Sequence, residues 1–189
     1  MKITKTQSAA NRAHIVQTAS ELFRERGYDG VGVAELMATA GFTQGGFYKH
    51  FGSKADLMAE AAQNSLAQSL ASTEGLDVEQ FIQLYVSREH RDGRGDGCTL
   101  AALCADAARQ SGALKTTFAD GVENTVRALQ QSVSADTQAT GQDSRAKMLD
   151  TLAHAVGAVI LSRACPDDSP LADEILQVCR AEILASLRG

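Results

Sequence analysis

The sequence predicts an all-α protein, and three observations lead to this fold class. Apolar residues recur at the three- and four-residue spacing of a helix face, in segments separated by glycine, proline or polar stretches. Hydrophobic residues make up 44% of the chain but aromatic residues only 5%, which favours a core of leucine, alanine and valine on helices. Both prolines, Pro166 and Pro170, lie in one short stretch that must separate two helices.

The first helix ends at Gly27, and two shorter helices are predicted within residues 33–51. The first of these two has its apolar residues on one face: Val33, Leu36, Met37 and Ala40. Gly41 can adopt the positive φ of a sharp turn, and Thr43 is expected to cap the next helix by accepting amide hydrogen bonds. Phe47 and Phe51 lie four residues apart and are expected to face the core.

The opposite side of this second short helix carries residues suited to DNA. Gln44 can form paired hydrogen bonds with adenine, Tyr48 has a hydroxyl group, and Lys49 has a positive charge for phosphate. Gly45 and Gly46 each cost about 1 kcal/mol of helix propensity, which a close approach to a DNA backbone would explain. The pattern therefore predicts a helix-turn-helix that binds double-stranded DNA, although two short helices around a glycine also occur inside enzymes.

A further helix is predicted to begin directly after this segment. Ser53 and Asp56 have the spacing of a capping box, which places Lys54 at the helix start as a second phosphate contact. His50 is interpreted as a packing or phosphate-contacting residue. A metal site is not expected, because no second His or Cys lies at ligand spacing on that helix.

Residues 11–57, and above all the string FYKHFGSKADL at 47–57, resemble the DNA-binding domain of TetR/AcrR-family transcriptional regulators. The resemblance implies a three-helix DNA-binding domain over residues 1–52, with the third helix, about 43–51, in the major groove. It implies a helical ligand-binding and dimerisation domain over residues 53–189, with about nine helices in total. It also implies a homodimer on a palindromic operator, released by a small-molecule effector that the sequence does not identify.

The resemblance also assigns roles within the DNA-binding domain. Thr43, Gln44 and Gly45 would lie nearest to base edges or adjacent phosphates. Tyr48, Lys49 and Lys54 would contact the DNA backbone. Whether the regulator represses or activates depends on where its operator lies, which no residue records.

The distribution of charge agrees with this orientation on DNA. The net charge is −5, but residues 1–60 have seven Lys and Arg against six Asp and Glu, whereas residues 61–189 have eleven against seventeen. The N-terminal part should therefore face the phosphates, with help from Lys2, Lys5 and Arg12. No apolar run of membrane-spanning length and no signal segment is present, so a cytoplasmic protein without a membrane partner is expected.

The second part of the chain is predicted to contain helices at about 53–72, 78–90, 99–110, 113–133, 144–164 and 171–187, with loops at 91–97 and 134–143. The last two helices carry broad apolar stripes, and pattern alone favours core over a dimer interface, because an apolar helical stripe is more often plain core. The family resemblance favours a four-helix dimer interface.

Candidates for the ligand chamber are apolar or aromatic residues of the middle helices, each of which ordinary packing explains as well: Phe81, Tyr85, Cys98, Leu103, Phe118 and Val122. Cys98 precedes a predicted helix, where a thiol can react with oxidants or electrophiles, so a thiol-sensing repressor is an alternative. No nucleophile, base and orienting residue lie at suggestive spacing, so no enzyme and no cofactor is expected. A helical enzyme or an interaction module that uses the helix-turn-helix for packing remains the alternative from another class.

Overall fold

The computed structural model describes residues 4–132 and 141–188, and within those ranges every regular element is a helix. This confirms the all-α prediction. In chain order the elements are α1 (Lys5–Arg26), α2 (Val33–Thr39), the 3-10 helix η1 (Gln44–Lys49), α3 (Lys54–Ala71), α4 (Val78–Tyr85), α5 (Arg88–Asp92), α6 (Thr99–Ala107), α7 (Gly112–Ser132), α8 (Gly141–Ala164) and α9 (Pro170–Arg188).

Helix α1 packs against α2, and α2 in turn packs against η1. The apolar face of α1 is fully buried at Ile15, Ala19 and Phe23, as the helical spacing predicts. The helix ends at Gly27, whose φ of 74° lies in the left-handed region that glycine adopts without steric cost. Gly41 has a φ of 79° at the corner after α2, which confirms the predicted sharp turn.

Helix α3 connects this N-terminal unit with the rest of the protein. The Ser53 hydroxyl oxygen accepts a hydrogen bond of 3.1 Å from the backbone N–H of Asp56, so the predicted N-cap is present. The first half of α3 packs on α1 through Leu57 and Ala61, and the helix also packs on α7. A single continuous helix therefore contacts both ends of the molecule.

The region 78–97 differs from the sequence prediction. The expected helix over residues 78–90 is two helices, because the chain leaves helical geometry at Val86 and begins again at α5. An exposed loop was expected over residues 91–97. This prediction is wrong for Arg91, because Arg91 belongs to α5 and its side chain is only 1% exposed. A run of glycines between charged residues gave no indication that one of the arginines is buried.

The buried guanidinium of Arg91 fastens α5 to the end of α8. It donates hydrogen bonds to the backbone carbonyl and the hydroxyl oxygen of Ser162 and to the carbonyl of Cys165, at 3.1–3.3 Å. It also forms ion pairs with Asp92 at 2.6 Å and Asp167 at 2.9 Å. Carbonyl groups at the C-terminal end of a helix have no partner within the helix, so Arg91 supplies the missing donors.

Helices α8 and α9 pack against each other and complete the core. Pro170 is the first residue of α9, a position where the missing N–H has no cost, so the predicted break between the two helices is present. Of the loop expected at 134–143, residues 134–140 lie outside the described ranges, and α8 already begins at Gly141. Within the described part of the chain, no helix has both the length and the apolar character needed to span a lipid bilayer.

The apolar stripes of α8 and α9 divide between two faces. The inward faces contain Met148, Leu152, Val159, Leu176 and Ile183, which are buried in the core. The outward faces also carry large apolar side chains that remain exposed: Leu149, Ile160, Leu161, Leu171 and Val178. We call these five residues the outward apolar face. Exposed apolar side chains that form a contiguous patch are uncommon on a monomeric protein and are typical of an interaction surface.

Candidate nucleic-acid interface and ligand cavity

The segment after Gly41 presents polar residues outward by anchoring aromatic residues inward. Phe47 and Phe51 are buried, with ring centroids 5.4 Å apart, as the four-residue spacing predicts. Tyr48, between them in sequence, is 73% exposed, and its ring contacts Phe47 edge-on. Lys49 is also exposed. The buried rings therefore fix the segment in an orientation that leaves Tyr48 and Lys49 in solvent.

The predicted second helix of the helix-turn-helix is a 3-10 helix, not an α-helix. Its hydrogen bonds include Gly46 N–H to the Thr43 carbonyl and His50 N–H to the Phe47 carbonyl, each at 2.9 Å. Two glycines within six residues weaken α-helical preference, and 3-10 geometry is common in such short pieces. The predicted side-chain cap is wrong, because Thr43 occupies the N-cap position but its hydroxyl accepts no capping hydrogen bond. The Thr43 side chain instead remains exposed.

The glycines of η1 are not required by the fold. A Cβ atom at Gly45 would meet no atom of the protein within 4 Å, and one at Gly46 would make only ordinary contacts with Met37 and Thr43. Neither glycine has a positive φ. Gln44 and Gly45 are exposed. The lack of side chains at these positions therefore leaves an open surface beside Gln44 and Tyr48.

Two basic residues that were expected to contact phosphate are engaged within the protein. The Lys54 ammonium donates a hydrogen bond of 2.5 Å to the carbonyl of Tyr28 and lies 5.9 Å from the Phe23 ring centroid. An ammonium group has three N–H donors, so two donors of Lys54 remain for a phosphate. Arg12 forms an ion pair with Glu60, so its charge is partly neutralised.

Arg12 also holds the end of η1 in place. Its Nε donates a 3.3 Å hydrogen bond to the carbonyl of His50, and its guanidinium lies 4.7 Å from the centroid of the Phe51 ring. His50 is half-buried, with its ring 6.2 Å from that of Phe51, which agrees with the packing role considered for it. The sequence pattern did not indicate this role of Arg12, because its partners lie 38 and 48 residues away.

A cavity of about 400 Å³ lies among α3, α4, α5, α6, α7 and α8. Three of the six predicted chamber residues line it: Phe81, Tyr85 and Cys98. The structure does not place the other three at this cavity, because Leu103 and Phe118 are buried in the core and Val122 packs partly buried against it. These helices have more than one apolar face, and periodicity alone cannot show which one borders a cavity.

Comparisons with known proteins agree with this geometry. Residues 15–61 match the model of the family described as bacterial regulatory proteins, tetR family. The chain is 27% identical to the HTH-type transcriptional repressor DhaR of Mycobacterium sp. (strain GP1) over 186 residues, 93% of each protein. It is 27% identical to the HTH-type transcriptional repressor NemR of Escherichia coli (strain K12) over 132 residues, 65% of this chain and 66% of NemR.

The fold is also similar to the crystal structure of a TetR transcriptional regulator from Chloroflexus aurantiacus J-10-FL. The TM-score is 0.76 at 21% sequence identity, and the match covers 97% of this chain and 96% of that one. Residues 15–61 therefore carry the DNA-binding segment of the TetR family of bacterial regulatory proteins. The family predicted from the string at residues 47–57 is therefore confirmed.

Outside the matched segment, Cys98 lies at the cavity end of α6. It occupies the N-cap position, and its backbone N–H donates a 3.0 Å hydrogen bond to Nε2 of His90. The other ring nitrogen of His90 is 2.6 Å from the carbonyl of Tyr85, so the hydrogen-bond pattern assigns the proton to Nδ1. Burial lowers the pKa of His90 despite the Tyr85 carbonyl, and the nearby positive charge of Arg163 lowers it further. His90 is therefore a neutral bridge between α4 and α6.

The cavity is connected to the DNA-binding elements through the segment between α5 and α6. Gly93, Asp96 and Gly97 of this segment line the cavity. The carbonyl of Gly95, in the same segment, accepts a 2.6 Å hydrogen bond from Nε of the buried Arg24 in α1. This segment therefore contacts both the cavity and α1.

Proposed function

We propose that the protein is a transcriptional repressor that binds a palindromic operator as a homodimer and is released by a small-molecule effector in the cytoplasm. In this proposal residues 1–52 form the DNA-binding domain, and residues 53–189 form the domain for ligand binding and dimerisation. The DNA contacts are assigned to Thr43, Gln44, Gly45, Tyr48, Lys49, His50 and Lys54, the residues proposed from the sequence.

The observation that carries the proposal is the orientation of η1. The two phenylalanines of this segment are buried, while Gln44, Tyr48 and Lys49 are exposed beside a glycine that packing does not require. Apart from the edge-on contact between Tyr48 and Phe47, no hydrogen bond or ion pair within the described part of the chain engages the side chains of Tyr48 and Lys49. The same side chains are suited to contact phosphates and base edges.

Replacing Lys49 with glutamine tests this assignment. We expect operator affinity to fall roughly tenfold at moderate salt, because each subunit loses one phosphate contact. For a dimer, the slope of log affinity against log salt should become shallower by about 2. Fluorescence anisotropy on the DNA upstream of the protein's own gene, titrated at several salt concentrations, measures both quantities.

Lys115→Gln is the matched control, since Lys115 is exposed on α7 and outside the N-terminal elements. It removes the same net charge and should leave the salt slope unchanged. Equal slopes for Lys49→Gln and the unaltered protein would remove Lys49 from the interface. If the unaltered protein bound neither its upstream DNA nor any sequence in a selection from random duplexes, the regulator proposal would be wrong.

A Gly45→Ala variant tests whether glycine at this position is required for folding or for DNA binding. The added methyl group meets no protein atom, so the melting temperature should stay the same or rise slightly. Operator affinity should nevertheless fall about tenfold, because the methyl group prevents close approach to the DNA. Gly112→Ala, which also places its Cβ in open space, should leave both values unchanged. Unaltered operator affinity in Gly45→Ala would show that DNA does not approach this glycine.

The proposed release mechanism uses the connection between the cavity and α1. A bound molecule would displace the segment 93–97, and the Arg24 hydrogen bond to Gly95 would transmit the displacement to α1. A second connection supports this proposal. The Asp106 carboxylate in α6 accepts a 3.4 Å hydrogen bond from the N–H of Tyr28, directly after α1.

A second candidate function is thiol sensing through Cys98, and its position favours this alternative. Cys98 lines the cavity and lies at the start of α6, so a small electrophile in the cavity can reach it. The related E. coli NemR was crystallised in a reduced form. If this candidate is correct, N-ethylmaleimide should release the protein from DNA, and Cys98→Ser should abolish that release.

Cys104→Ser is the internal control for this reaction. Burial, together with the neighbouring Cys98, raises the pKa of the Cys104 thiol to about 11, so Cys104 stays protonated and reacts slowly. Its replacement should leave the release by N-ethylmaleimide intact. Modification of Cys98, located by mass spectrometry, without any loss of DNA affinity would reject the thiol-sensing candidate.

A further inference from the structure

The walls of the 400 Å³ cavity are largely apolar. Five of the residues that line it have large apolar side chains: Leu70, Leu76, Phe81, Leu84 and Leu152. Cavities of this size and character bind small molecules mainly by burying apolar surface, and a few polar groups fix the orientation. The chemical class of a ligand can therefore be inferred from the polar groups that the protein itself leaves available.

Most hydroxyl groups at the cavity are already committed to backbone carbonyls. Ser72 donates to the carbonyl of Ser69, Thr73 to that of Leu70, Ser87 to that of Leu84 and Thr125 to that of Gly121, at 2.7–2.9 Å. Both ring nitrogens of His90 are also in hydrogen bonds, one with the Cys98 N–H and one with the Tyr85 carbonyl. These side chains have their donors occupied within the protein.

Two described residues that line the cavity, Ser69 and Tyr85, have hydroxyl groups without a hydrogen bond, and of these two hydroxyls that of Tyr85 is buried. The Tyr85 side chain is only 7% exposed, and its hydroxyl is buried without a partner in hydrogen-bonding geometry, beside the Cys98 thiol. The ring is fixed by Phe81 at 5.1 Å and by His90 at 4.4 Å between centroids. Burial, and next the neighbouring Cys98, raise the pKa of Tyr85, so the hydroxyl remains protonated and can donate. A ligand with an acceptor atom would supply the hydrogen bond that this buried hydroxyl lacks within the protein.

The charges at the cavity disfavour an acidic ligand. Of the described residues that line it, none is a lysine or an arginine, whereas Glu89 and Asp96 contribute carboxylates. The nearby Arg163 uses its guanidinium to donate to the carbonyls of His90 and Arg91, at 2.7 and 2.8 Å. Glu89 and Asp96 are exposed, so their attraction for a cation is screened by water. A charged ligand would therefore lose its hydration without a matching partner in the apolar part of the cavity.

We propose that this cavity takes an uncharged, largely apolar molecule with one hydrogen-bond acceptor, such as a ketone oxygen, and that Tyr85 donates to that acceptor. The inference rests on the proposed ligand-controlled function, because it names the chemical class of the effector. It adds a specificity-determining residue, since Tyr85 distinguishes a ligand with an acceptor from the corresponding hydrocarbon. It requires no covalent reaction with Cys98.

Four naphthalene derivatives of nearly equal shape test the proposal on the full-length protein without DNA. They are 2-acetylnaphthalene as the neutral ketone, 2-isopropylnaphthalene without an acceptor, 2-naphthoate as the anion and 1-(2-naphthyl)ethylammonium as the cation. The chain contains no tryptophan, so the fluorescence of the probes reports their binding directly. The unaltered protein is compared with Tyr85→Phe, which keeps the ring, and with Cys98→Ser, which excludes a contribution of the thiol.

The ketone should bind most tightly, roughly fivefold better than the hydrocarbon and at least about tenfold better than either charged probe. Tyr85→Phe should remove the preference for the ketone and leave hydrocarbon binding unchanged, with a melting temperature that is not lowered. Cys98→Ser should behave like the unaltered protein. Binding of the anion or the cation as tightly as the ketone, an unchanged ketone preference in Tyr85→Phe, or no binding of any probe would overturn the proposal.

The probe titrations test the ligand class independently of the proposed repressor function. If the ketone binds through Tyr85 but does not release the operator, the ligand class is correct and the inducer role fails. If operator binding itself is absent, the fluorescence titrations still decide the chemistry of the cavity.

Discussion

Replacing Arg91 with methionine should lower the free energy of unfolding by about 3 kcal/mol. Methionine fills similar space but cannot donate. The buried hydroxyl of Ser162 and the half-buried carbonyl of Cys165 would therefore lose the guanidinium as a donor, and the buried carbonyl of Ser162 would keep only the N–H of Cys165. The packing of α5 against the end of α8 would also lose its hydrogen bonds. Urea denaturation followed by circular dichroism measures the change as a lower midpoint with an unchanged slope.

Arg88→Met is the matched control on the same helix. Arg88 also pairs with Asp92 and additionally contacts Asp173 and the carbonyl of Asp167, but its side chain is largely solvated. Ion pairs in water contribute little, so we expect a much smaller loss of stability than for Arg91→Met. Equal effects of the two substitutions would show that the buried hydrogen bonds of Arg91 are not what stabilises this junction.

The local features of the fold could be predicted from the sequence, because their causes lie within a few residues. Gly41 marks a turn that requires positive φ, and Ser53 with Asp56 marks a helix start through a hydrogen bond between neighbours. The prolines separate α8 from α9 because neither can continue a helix. Each of these predictions uses backbone chemistry that is independent of the remaining chain.

The division between α4 and α5 and the burial of Arg91 could not be predicted in this way. The partners of Arg91 in α8 and beyond are 71–76 residues away, and nothing in the string Arg91–Gly97 reveals them. An arginine among aspartates and glycines has the same local pattern whether it is solvated or buried. Only the packing of α5 on α8 determines which of these occurs.

In the candidate DNA interface, too, the sequence predicted the local features but not the contacts between distant residues. Periodicity correctly placed Phe47 and Phe51 inside and Tyr48 and Lys49 outside. It did not indicate that Arg12 is bonded to Glu60 and to the end of η1. Charge near a DNA-binding segment is therefore a poor guide to which basic residue contacts phosphate. The salt dependence of single variants supplies the information that the sequence lacks.

A Leu161→Glu substitution should abolish high-affinity operator binding without unfolding the protein. Leu161 is 59% exposed on the outward apolar face of α8, so a carboxylate there remains hydrated in the monomer. In the proposed dimer the same carboxylate would be buried against the partner and lose its hydration. Because a palindromic operator is bound through two linked subunits, separation of the dimer should weaken binding by roughly a hundredfold. Analytical ultracentrifugation and anisotropy measure the two effects.

Leu84→Glu is the corresponding control, since Leu84 is also 59% exposed but lies on α4, outside the outward apolar face. Leu84 lines the cavity, so all proteins are compared without an effector. It introduces the same charge and should leave both the oligomeric state and operator affinity unchanged. The two measurements also show whether DNA binding depends on the dimer. As protein concentration is lowered, operator binding should be lost in the concentration range in which monomers form. A Leu161→Glu protein that sediments as a dimer and binds its operator normally would show that this part of α8 does not mediate assembly. A monomer with full operator affinity would instead show that binding does not depend on two linked subunits.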